Sequence, residues 1–264
     1  MTQLVHTPEA LANALPAGPV SLVPTMGALH SGHLALVRAA KALGNPVVVS
    51  IFVNPLQFVP GEDLEKYPRT LAEDVEKLEA LGVDAVFAPA PETMYPHGPR
   101  TTIQPGPLGG VLEGATRPTH FAGVLTVVAK LFALTGAADA FFGEKDYQQL
   151  ALIRQMVDDL HLPVRIHGCP IVRDTDGLAL SSRNRYLSDE ERTVALAIPR
   201  ALATGSLSEA QLLLDATEGL HLDYLVATAP DMSDLSEGYT GPARLLVAAK
   251  VGATRLLDNA PVEL

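Results

Sequence analysis

The sequence contains no tryptophan and a single cysteine, Cys169, among its 264 residues. One cysteine cannot form a disulfide within the chain, and it excludes zinc and iron–sulfur sites built from several thiolates. Aromatic residues make up only 5% of the chain, so surfaces for stacking nucleic-acid bases would be few. The chain also lacks an apolar run of the roughly 18 to 20 residues that a bilayer-spanning helix needs.

Basic residues are in the minority, because 19 Lys and Arg stand against 30 Asp and Glu, for a net charge of -11 at pH 7. This balance excludes a general basic surface, and we expect no nucleic-acid partner. The first residues, MTQLVHTPEALANALP, have neither the basic start nor the apolar stretch of a secretory signal. We therefore expect a cytoplasmic protein with no membrane partner, and 47% hydrophobic residues are enough for a globular core.

Strand-like and helix-like segments alternate over the first two thirds of the chain. Strand candidates at 20–24, 47–53, 85–88, 138–142 and 164–170 are separated by helix candidates at 33–44, 71–81, 121–134 and 146–160. This alternation predicts an α/β fold with a mostly parallel sheet, whose ligands bind beyond the carboxyl ends of the strands. The Pro- and Gly-rich segment 89–118 is expected to be a long, functional loop.

The alternation of strand-like and helix-like segments ends after residue 175. Strand candidates at 221–228, 243–250 and 255–258 follow one another without long helices between them, which predicts a small α+β domain with an antiparallel sheet. We therefore expect two domains, 1–174 and 175–264. Capping-box patterns at 70–73, 188–191 and 208–211 predict helix starts, and Pro199 predicts a kink or a stop.

The most specific motif is PTMGALHSGH at 24–33, where a strand, a Gly-containing turn and a helix start follow one another. Backbone N–H groups at a helix start attract anions, and the glycines allow a phosphate to approach closely. His30 and His33 are spaced to donate to the same phosphate oxygens. A metal-binding histidine pair and a merely capped helix start are the alternatives.

The loop VNPLQF at 53–58 follows a strand that we expect to be buried. Its Asn and Gln side chains offer both donors and acceptors, which suits a small polar substrate. The alternative is an ordinary Asn-Pro turn.

The segment FGEKDYQQ at 142–149 also follows an apolar strand and opens a helix. Lys145 is placed to act as a cation on a transferring phosphoryl group. The alternative is a charged, solvated helix cap.

The segment LSSRN at 180–184 combines hydroxyls, a guanidinium and backbone amides, which together suit a polyphosphate clamp. Its place near the domain limit favours a hinge or lid that closes on ligand. The alternative is a polar interdomain linker. Cys169 lies in an apolar strand and is expected to be inert.

These motifs, in this order and spacing, resemble the pantothenate synthetase (pantoate–β-alanine ligase) family of the His-x-Gly-His nucleotidyltransferase superfamily. The resemblance covers nearly the whole chain, with Leu180 where Met is frequent and Ala122 where Arg or Asp can occur. The matching segments are 24–33, 52–58, 67–70, 120–124, 142–149, 181–184 and 254–259.

The resemblance implies a reaction in two steps. Pantoate and ATP would give pantoyl adenylate and pyrophosphate, and β-alanine would then give pantothenate and AMP. It also implies Mg²⁺, a Rossmann-like N-terminal domain, a smaller C-terminal lid domain and a homodimer.

The resemblance further implies a role for individual residues. His30, His33 and Lys145 would be catalytic, with His33 as the proton donor. Gln57 would bind β-alanine as well as pantoate, and Asp74 would support Mg²⁺. Pantoate would contact Pro24, Met26, Gln57 and Gln149. ATP would contact Met26, Gly27, His30, His33, Gly143, Lys145, Asp146, Val172, Leu180, Ser181, Ser182 and Arg183.

Two other functions stay open from the residues alone. A relative that stops at adenylyl or cytidylyl transfer would share the histidines and a phosphate clamp. A non-catalytic nucleotide-binding module would bind ATP without turnover.

Overall fold

The computed structural model describes residues 1–58, 64 and 68–264, so the expected family match at Tyr67 lies outside the described residues. The chain divides into two compact units, unit 1 with Met1–Glu144 and Gln148–Cys169, and unit 2 with Lys145–Tyr147 and Pro170–Leu264. The division after Cys169 lies near the expected limit at 174, but the transfer of Lys145–Tyr147 to unit 2 was not expected. The separate roles of the two domains, including that of a lid, stay predictions.

Unit 1 is built on a parallel sheet, as the alternation of segments predicts. Its strands are β1 Gln3–Val5, β2 Val20–Thr25, β3 Val47–Ile51, β4 Ala85–Phe87, β5 Ala137–Gly143 and β6 Arg165–Cys169. The six strands lie in the order β1-β4-β3-β2-β5-β6, and every neighbouring pair is parallel. The order reverses between β2 and β5, the point at which open α/β sheets bind their ligands.

The helices of this part of the chain connect the strands. They are α1 Pro8–Ala14, α2 Ser31–Ala42, α3 Leu71–Ala80, α4 Pro91–Met94, α5 Glu113–Thr116, α6 His120–Thr135 and α7 Tyr147–Asp159. The sequence did not predict β1 or α1, because a three-residue strand has no measurable periodicity. None of the helices within the described part of the chain has the length and hydropathy to cross a bilayer.

The central strands are buried on both faces, which explains their continuous apolar sequence. Val47, Val48 and Val49 of β3 are fully buried, as are Leu22 and Val23 of β2. Each such side chain contributes roughly 1.5–3 kcal/mol through its removal from water. A rigid pair of strands therefore carries the loops that follow β2 and β3.

The segment 89–118, expected to be a long loop, contains short helical elements. These are α4, α5 and a 3₁₀ turn at Pro107–Gly110. The buried Gln148 side chain organises its second half, since its amide donates to the carbonyls of Leu108 and Val111 at 2.8 Å each. Its Oε1 accepts the N–H of Glu113 at 3.1 Å. The side chain of Gln148 thus supplies hydrogen-bond partners for two backbone carbonyls and one backbone N–H of this segment.

Two of the three predicted helix starts differ from the capping-box pattern. Thr70 forms no side-chain cap, because its hydroxyl donates to Asp74 Oδ2 at 3.0 Å instead. The cap of the third helix is Ser206 rather than Ser208. The box at Ser188 and Glu191 is confirmed.

Unit 2 is a small α+β unit, as predicted. Its helices are α8 Asp189–Ala195, α9 Ala197–Ala203 and α10 Leu207–Asp215, and its strands are β7 Leu220–Thr228, β8 Pro242–Val251 and β9 Thr254–Glu263. The strands form an antiparallel sheet in the order β7-β8-β9. The helix break falls at Leu196 because Pro199, inside the first turn of α9, has no N–H to continue α8.

Candidate active site

The turn after β2 has an unusual backbone that a buried carboxylate holds in place. Gly27 has φ +83, and a Cβ there would lie 3.1 Å from Asp74 Oδ2. The next residue, Ala28, also has a positive φ of 50. Asp74 is fully buried and accepts the N–H groups of Ala28 at 2.9 Å and Leu29 at 2.8 Å. Asp74 therefore fixes the turn that precedes the histidines.

This arrangement does not fit Asp74 as a magnesium ligand. Both of its oxygens already accept backbone N–H groups, and Lys77 Nζ lies 3.8 Å from Oδ1. Within residues 1–58, 64 and 68–264, no group of three or more His, Cys, Asp or Glu side chains is placed to hold a metal ion. The Asp74 carboxylate shapes the turn instead.

The two histidines of the motif orient each other at the start of α2. His30 Nδ1 accepts the N–H of Gly32 at 3.2 Å, and His33 Nδ1 accepts the N–H of His30 at 3.3 Å. The ring centroids are 4.1 Å apart. Because each Nδ1 acts as an acceptor, the proton of each neutral ring is assigned to Nε2. Both rings therefore carry a donor suited to phosphate at a helix start that favours anions.

The loop after β3 places two predicted pantoate ligands together. Gln57 Nε2 donates to Met26 Sδ at 2.8 Å, and the Gln57 side chain is buried. Asn54, also buried, donates through Nδ2 to Gln57 Oε1 at 3.3 Å and to the Gly123 carbonyl at 3.1 Å. Asn54 Oδ1 accepts the hydroxyl of Tyr95 at 2.9 Å. The Gln57 amide is thus oriented through a chain of buried partners.

The backbone of the same loop is held against α6. His120 Nδ1 donates to the Gln57 carbonyl at 2.9 Å and Arg117 Nη2 donates to it at 3.1 Å. Arg117 Nη1 lies 3.2 Å from His120 Nε2, which assigns the ring proton to Nδ1. A Cβ on Gly123 would lie only 2.2 Å from the Leu56 carbonyl oxygen. The 3₁₀ turn Pro55–Gln57 therefore packs directly on the helix backbone.

The Tyr95 hydroxyl leads to a prediction about stability at high pH. Burial raises the pKa of Tyr95 to about 12, compared with about 10 for an exposed tyrosine. The fold favours the protonated hydroxyl, so its contribution is complete below pH 10 and is lost as the pH rises to about 12. We expect wild type to lose stability over this interval relative to Tyr95→Phe, measured by urea unfolding at a series of pH values.

The control for this prediction is Tyr239→Phe, since the hydroxyl of the partly exposed Tyr239 donates to the Pro242 carbonyl in unit 2. Tyr239→Phe is unfolded in the same pH series, so that the loss of one tyrosine hydroxyl elsewhere in the chain is compared with the loss of Tyr95. A difference between wild type and Tyr95→Phe that stays constant from pH 10 to 12 would show that Tyr95 does not hold its proton as described.

Unit 2 contains Lys145, the residue whose positive charge is predicted to act on the transferring phosphoryl group. Lys145 is largely buried, and its Nζ lies 3.6 Å from Asp146 Oδ1. Its backbone carbonyl accepts Asn259 Nδ2 at 3.0 Å. A cavity within unit 2 is lined by Lys145, Leu178, Ala179, Ser181, Asn184 and Asp258, among others. Lys145 and Ser181, both predicted ATP ligands, therefore share one cavity.

The segment after residue 179 forms a 3₁₀ turn at Ser182–Tyr186. The Ser181 hydroxyl caps this turn by accepting the N–H of Arg183 at 3.2 Å. The N–H of Leu180 donates to the Val172 carbonyl at 2.9 Å. This backbone pairing brings two further predicted ATP ligands, Val172 and Leu180, next to each other.

The predicted site residues divide between the units. Unit 1 contains Pro24, Met26, Gly27, His30, His33, Gln57, Gly143 and Gln149, and unit 2 contains Lys145, Asp146, Val172, Leu180, Ser181, Ser182 and Arg183. Their assignment to ATP and pantoate stays a prediction. Sequence reasoning did not give roles to Tyr95 or Arg117, for which no local signal exists, and it included Asn259 only as part of the matching segment 254–259, without a role. Gly123 belongs to the matching segment 120–124, and an isolated glycine inside a helical pattern was a further signal for a close contact there.

Cys169 is a free, buried cysteine. It lies at the end of β6, and burial together with the Glu144 charge raises the pKa of its thiol. A thiol that resists ionisation is a poor nucleophile, as expected from its apolar surroundings.

The fold and the histidine pair define a Rossmann-like α/β protein of the His-x-Gly-His nucleotidyltransferase class. The family model for pantoate-beta-alanine ligase matches residues 3–261. The chain belongs to this family.

Several relatives are similar over most of their length. A pantothenate synthetase of Corynebacterium jeikeium is 63% identical over 257 residues, 93% of this chain and 83% of the relative. A pantothenate synthetase of Corynebacterium diphtheriae is 53% identical over 99% of this chain and 98% of its own.

Solved structures agree with the fold. The crystal structure of pantothenate synthetase from Thermus thermophilus has a TM-score of 0.92 at 49% identity and covers 98% of each chain. Pantoate-beta-alanine ligase from Francisella tularensis, complexed with beta-gamma ATP and beta-alanine, has a TM-score of 0.85 at 36% identity. That likeness covers 98% of this chain and 97% of the other.

Proposed function

We propose that this chain condenses pantoate with β-alanine to give pantothenate, using ATP and passing through pantoyl adenylate. One observation carries the proposal. The neighbouring parallel strands β2 and β3 end at one edge of the sheet, with the histidine turn after β2 and the buried Gln57 amide after β3. The contact between Gln57 Nε2 and Met26 joins the two loops. An anion site and an amide that can hold hydroxyls or a carboxylate are the two features that adenylation of a hydroxy acid needs.

In the first step, a carboxylate oxygen of pantoate attacks the α-phosphorus of ATP. The bond from this phosphorus to the oxygen that bridges it to the β-phosphorus breaks, and pyrophosphate leaves. The substrate supplies the nucleophile, so the protein contributes position and charge. The Nε2–H groups of His30 and His33 would donate to phosphate oxygens, and Lys145 would neutralise charge on the α-phosphate and the leaving group.

In the second step, the amine of β-alanine attacks the acyl carbon of the adenylate. The bond from the acyl carbon to the phosphate oxygen breaks, AMP leaves, and the amine loses a proton. Gln57 and Gln149 would hold pantoate through both steps, and Gln57 would also meet β-alanine. Gly143, Asp146 and the unit 2 residues Val172 and Leu180–Arg183 would bind ATP.

The resemblance also implies Mg²⁺ and a homodimer, and a cytoplasmic location was expected from the sequence alone; we retain all three as parts of the proposal. The described side chains offer no cluster that would hold Mg²⁺, so its ligands would be the triphosphate oxygens. When bound, the ion would offset phosphate charge. The steps given to His30, His33 and Lys145 do not depend on it. Sedimentation equilibrium tests the dimer.

The test of the proposed function follows pyrophosphate release from Mg²⁺-ATP with pantoate, first alone and then with β-alanine, with products identified by mass. Pantoate-dependent release, with pantothenate and AMP only after β-alanine is added, is the expected result. Release without an amide product would indicate a nucleotidyltransferase or another acceptor. ATP binding without release would indicate a non-catalytic module.

A pair of glutamine variants locates the pantoate site in the same assay. Gln57→Leu removes the buried amide beside Met26 and is expected to raise the pantoate KM by about 5- to 150-fold, since the loss of a hydrogen bond to a polar substrate costs about 1–3 kcal/mol. Gln104→Leu changes an exposed glutamine in the same unit and should leave the KM unchanged. Equal pantoate KM values for the two variants would place pantoate elsewhere.

A further inference from the structure

The last strand carries two buried polar residues that the proposed chemistry does not use. Asp258 and Asn259 lie side by side in β9 and are almost inaccessible to solvent. Burying a carboxylate and an amide is costly unless each is hydrogen-bonded. Their partners show what this arrangement achieves.

A chain of hydrogen bonds leads from Arg173 to the backbone of Lys145. The Arg173 guanidinium donates to both oxygens of Asp258, at 2.6 and 3.0 Å. Asp258 Oδ1 accepts the N–H of Asn259 at 2.8 Å. The Asn259 amide oxygen accepts from Arg244 Nη1, and its Nδ2 donates to the Lys145 carbonyl at 3.0 Å.

A second contact holds the same short segment two residues further along the chain. The Arg244 guanidinium lies over the Tyr147 ring at 3.8 Å from its centroid, and the Tyr147 hydroxyl donates to the Pro230 carbonyl at 2.7 Å. These contacts explain why Lys145–Tyr147 belongs to unit 2, although the residues on either side belong to unit 1. Arg244 also contacts Asn259, so one side chain links the two points of attachment.

We infer that Asn259 is a positioning residue for Lys145. It fixes the Lys145 carbonyl, and with it the backbone from which the ammonium group reaches the transferring phosphoryl group. The inference rests on the proposed role of Lys145. A cation that acts through charge on a transition state must be held to within a fraction of an ångström, and a misplacement of about 1 Å costs about 100-fold in rate. The Asp258–Arg173 pair holds Asn259 in place, because Asp258 accepts the backbone N–H of Asn259.

The test uses the variant Asn259→Asp, because the aspartate side chain has the same shape as that of asparagine. It keeps an oxygen for Arg244 but replaces the donor to the Lys145 carbonyl with a second oxygen. We expect pantoate-dependent pyrophosphate release to slow between about 10- and 100-fold, with the pantoate KM within twofold of wild type. Arg255→Gln on the same strand, whose pair with Asp223 is exposed, serves as the control and should keep the wild-type rate. If Asn259→Asp does not fold, Asn259→Ser replaces it.

A double mutant separates positioning from general damage. In single-turnover reactions with excess enzyme, Asn259→Asp should slow wild type strongly but slow Lys145→Ala by less than twofold, because the group it positions is gone. An equal slowing in both backgrounds, or none in wild type, would overturn the inference. Failure of the proposed function would look different, since wild type would then show no pantoate-dependent release, or Lys145→Ala would match it.

Discussion

Replacing His33 with asparagine is expected to slow pantoyl adenylate formation by about 100- to 1,000-fold, the usual loss when one donor to a developing charge is removed. The asparagine Oδ1 lies close to the position of Nδ1, so it can still accept the N–H of His30 that His33 now accepts at 3.3 Å. The variant lacks a donor at the Nε2 position, and so it separates phosphate binding from the local hydrogen bond. Pyrophosphate release at saturating ATP and pantoate measures the effect.

Two further variants test whether the loss of activity in His33→Asn is specific to the missing donor. His33→Ala removes both the donor and the acceptor, and it should lose the same activity together with some stability of the α2 start. His221→Asn changes an exposed histidine in β7 and should behave as wild type. An adenylation rate within a few-fold of wild type for His33→Asn, with unchanged stability, would mean that His33 does not contact the phosphates.

Gly123→Ala is expected to have the second large effect, because it adds a methyl group where two backbones touch. The new Cβ would lie 2.2 Å from the Leu56 carbonyl oxygen and 2.7 Å from the Gln57 N. Neither contact involves the end of a flexible side chain, so α6 or the 3₁₀ turn must move. Overpacking of this kind costs about 1–3 kcal/mol of stability, and the shift of Gln57 should raise the pantoate KM more than tenfold.

The control is Gly110→Ala, at a glycine whose added Cβ would meet no atom within 4 Å. It should change neither the free energy of unfolding nor the pantoate KM. Urea unfolding and initial rates over a range of pantoate concentrations give both quantities for each variant. A destabilised Gly123→Ala enzyme with a wild-type pantoate KM would show that the packing of α6 does not position Gln57 for substrate.

The features that the sequence predicts are those encoded by neighbouring residues. A strand, a glycine turn and a helix start follow one another within 24–33, so the positions of His30 and His33 at the helix start that follows a strand could be predicted from local pattern and were confirmed. The antiparallel sheet of unit 2 was predicted in the same way, from three strand-like segments without long helices between them.

The features that the sequence did not predict depend on contacts between distant residues. Asn54 meets Tyr95 across 41 positions, and Asn259 meets Lys145 across 114. Neither pair has a local signature, because any buried asparagine can accept or donate. Asp74 was expected to face a metal, but tertiary packing directs it to the turn at Ala28 and Leu29. The same carboxylate accepts a hydrogen bond from the Thr70 hydroxyl, so this hydroxyl does not form the expected capping box.

The central proposal is that a pantoate oxygen becomes bonded to the α-phosphorus of ATP. The most direct test is to supply pantoate labelled with ¹⁸O in its carboxylate, together with ATP and β-alanine, and to weigh the products. Attack at the α-phosphorus followed by loss of AMP predicts one ¹⁸O in each AMP, one in each pantothenate amide carbonyl and none in pyrophosphate. Unlabelled AMP, or label in inorganic phosphate with ADP as the other product, would contradict the adenylate route.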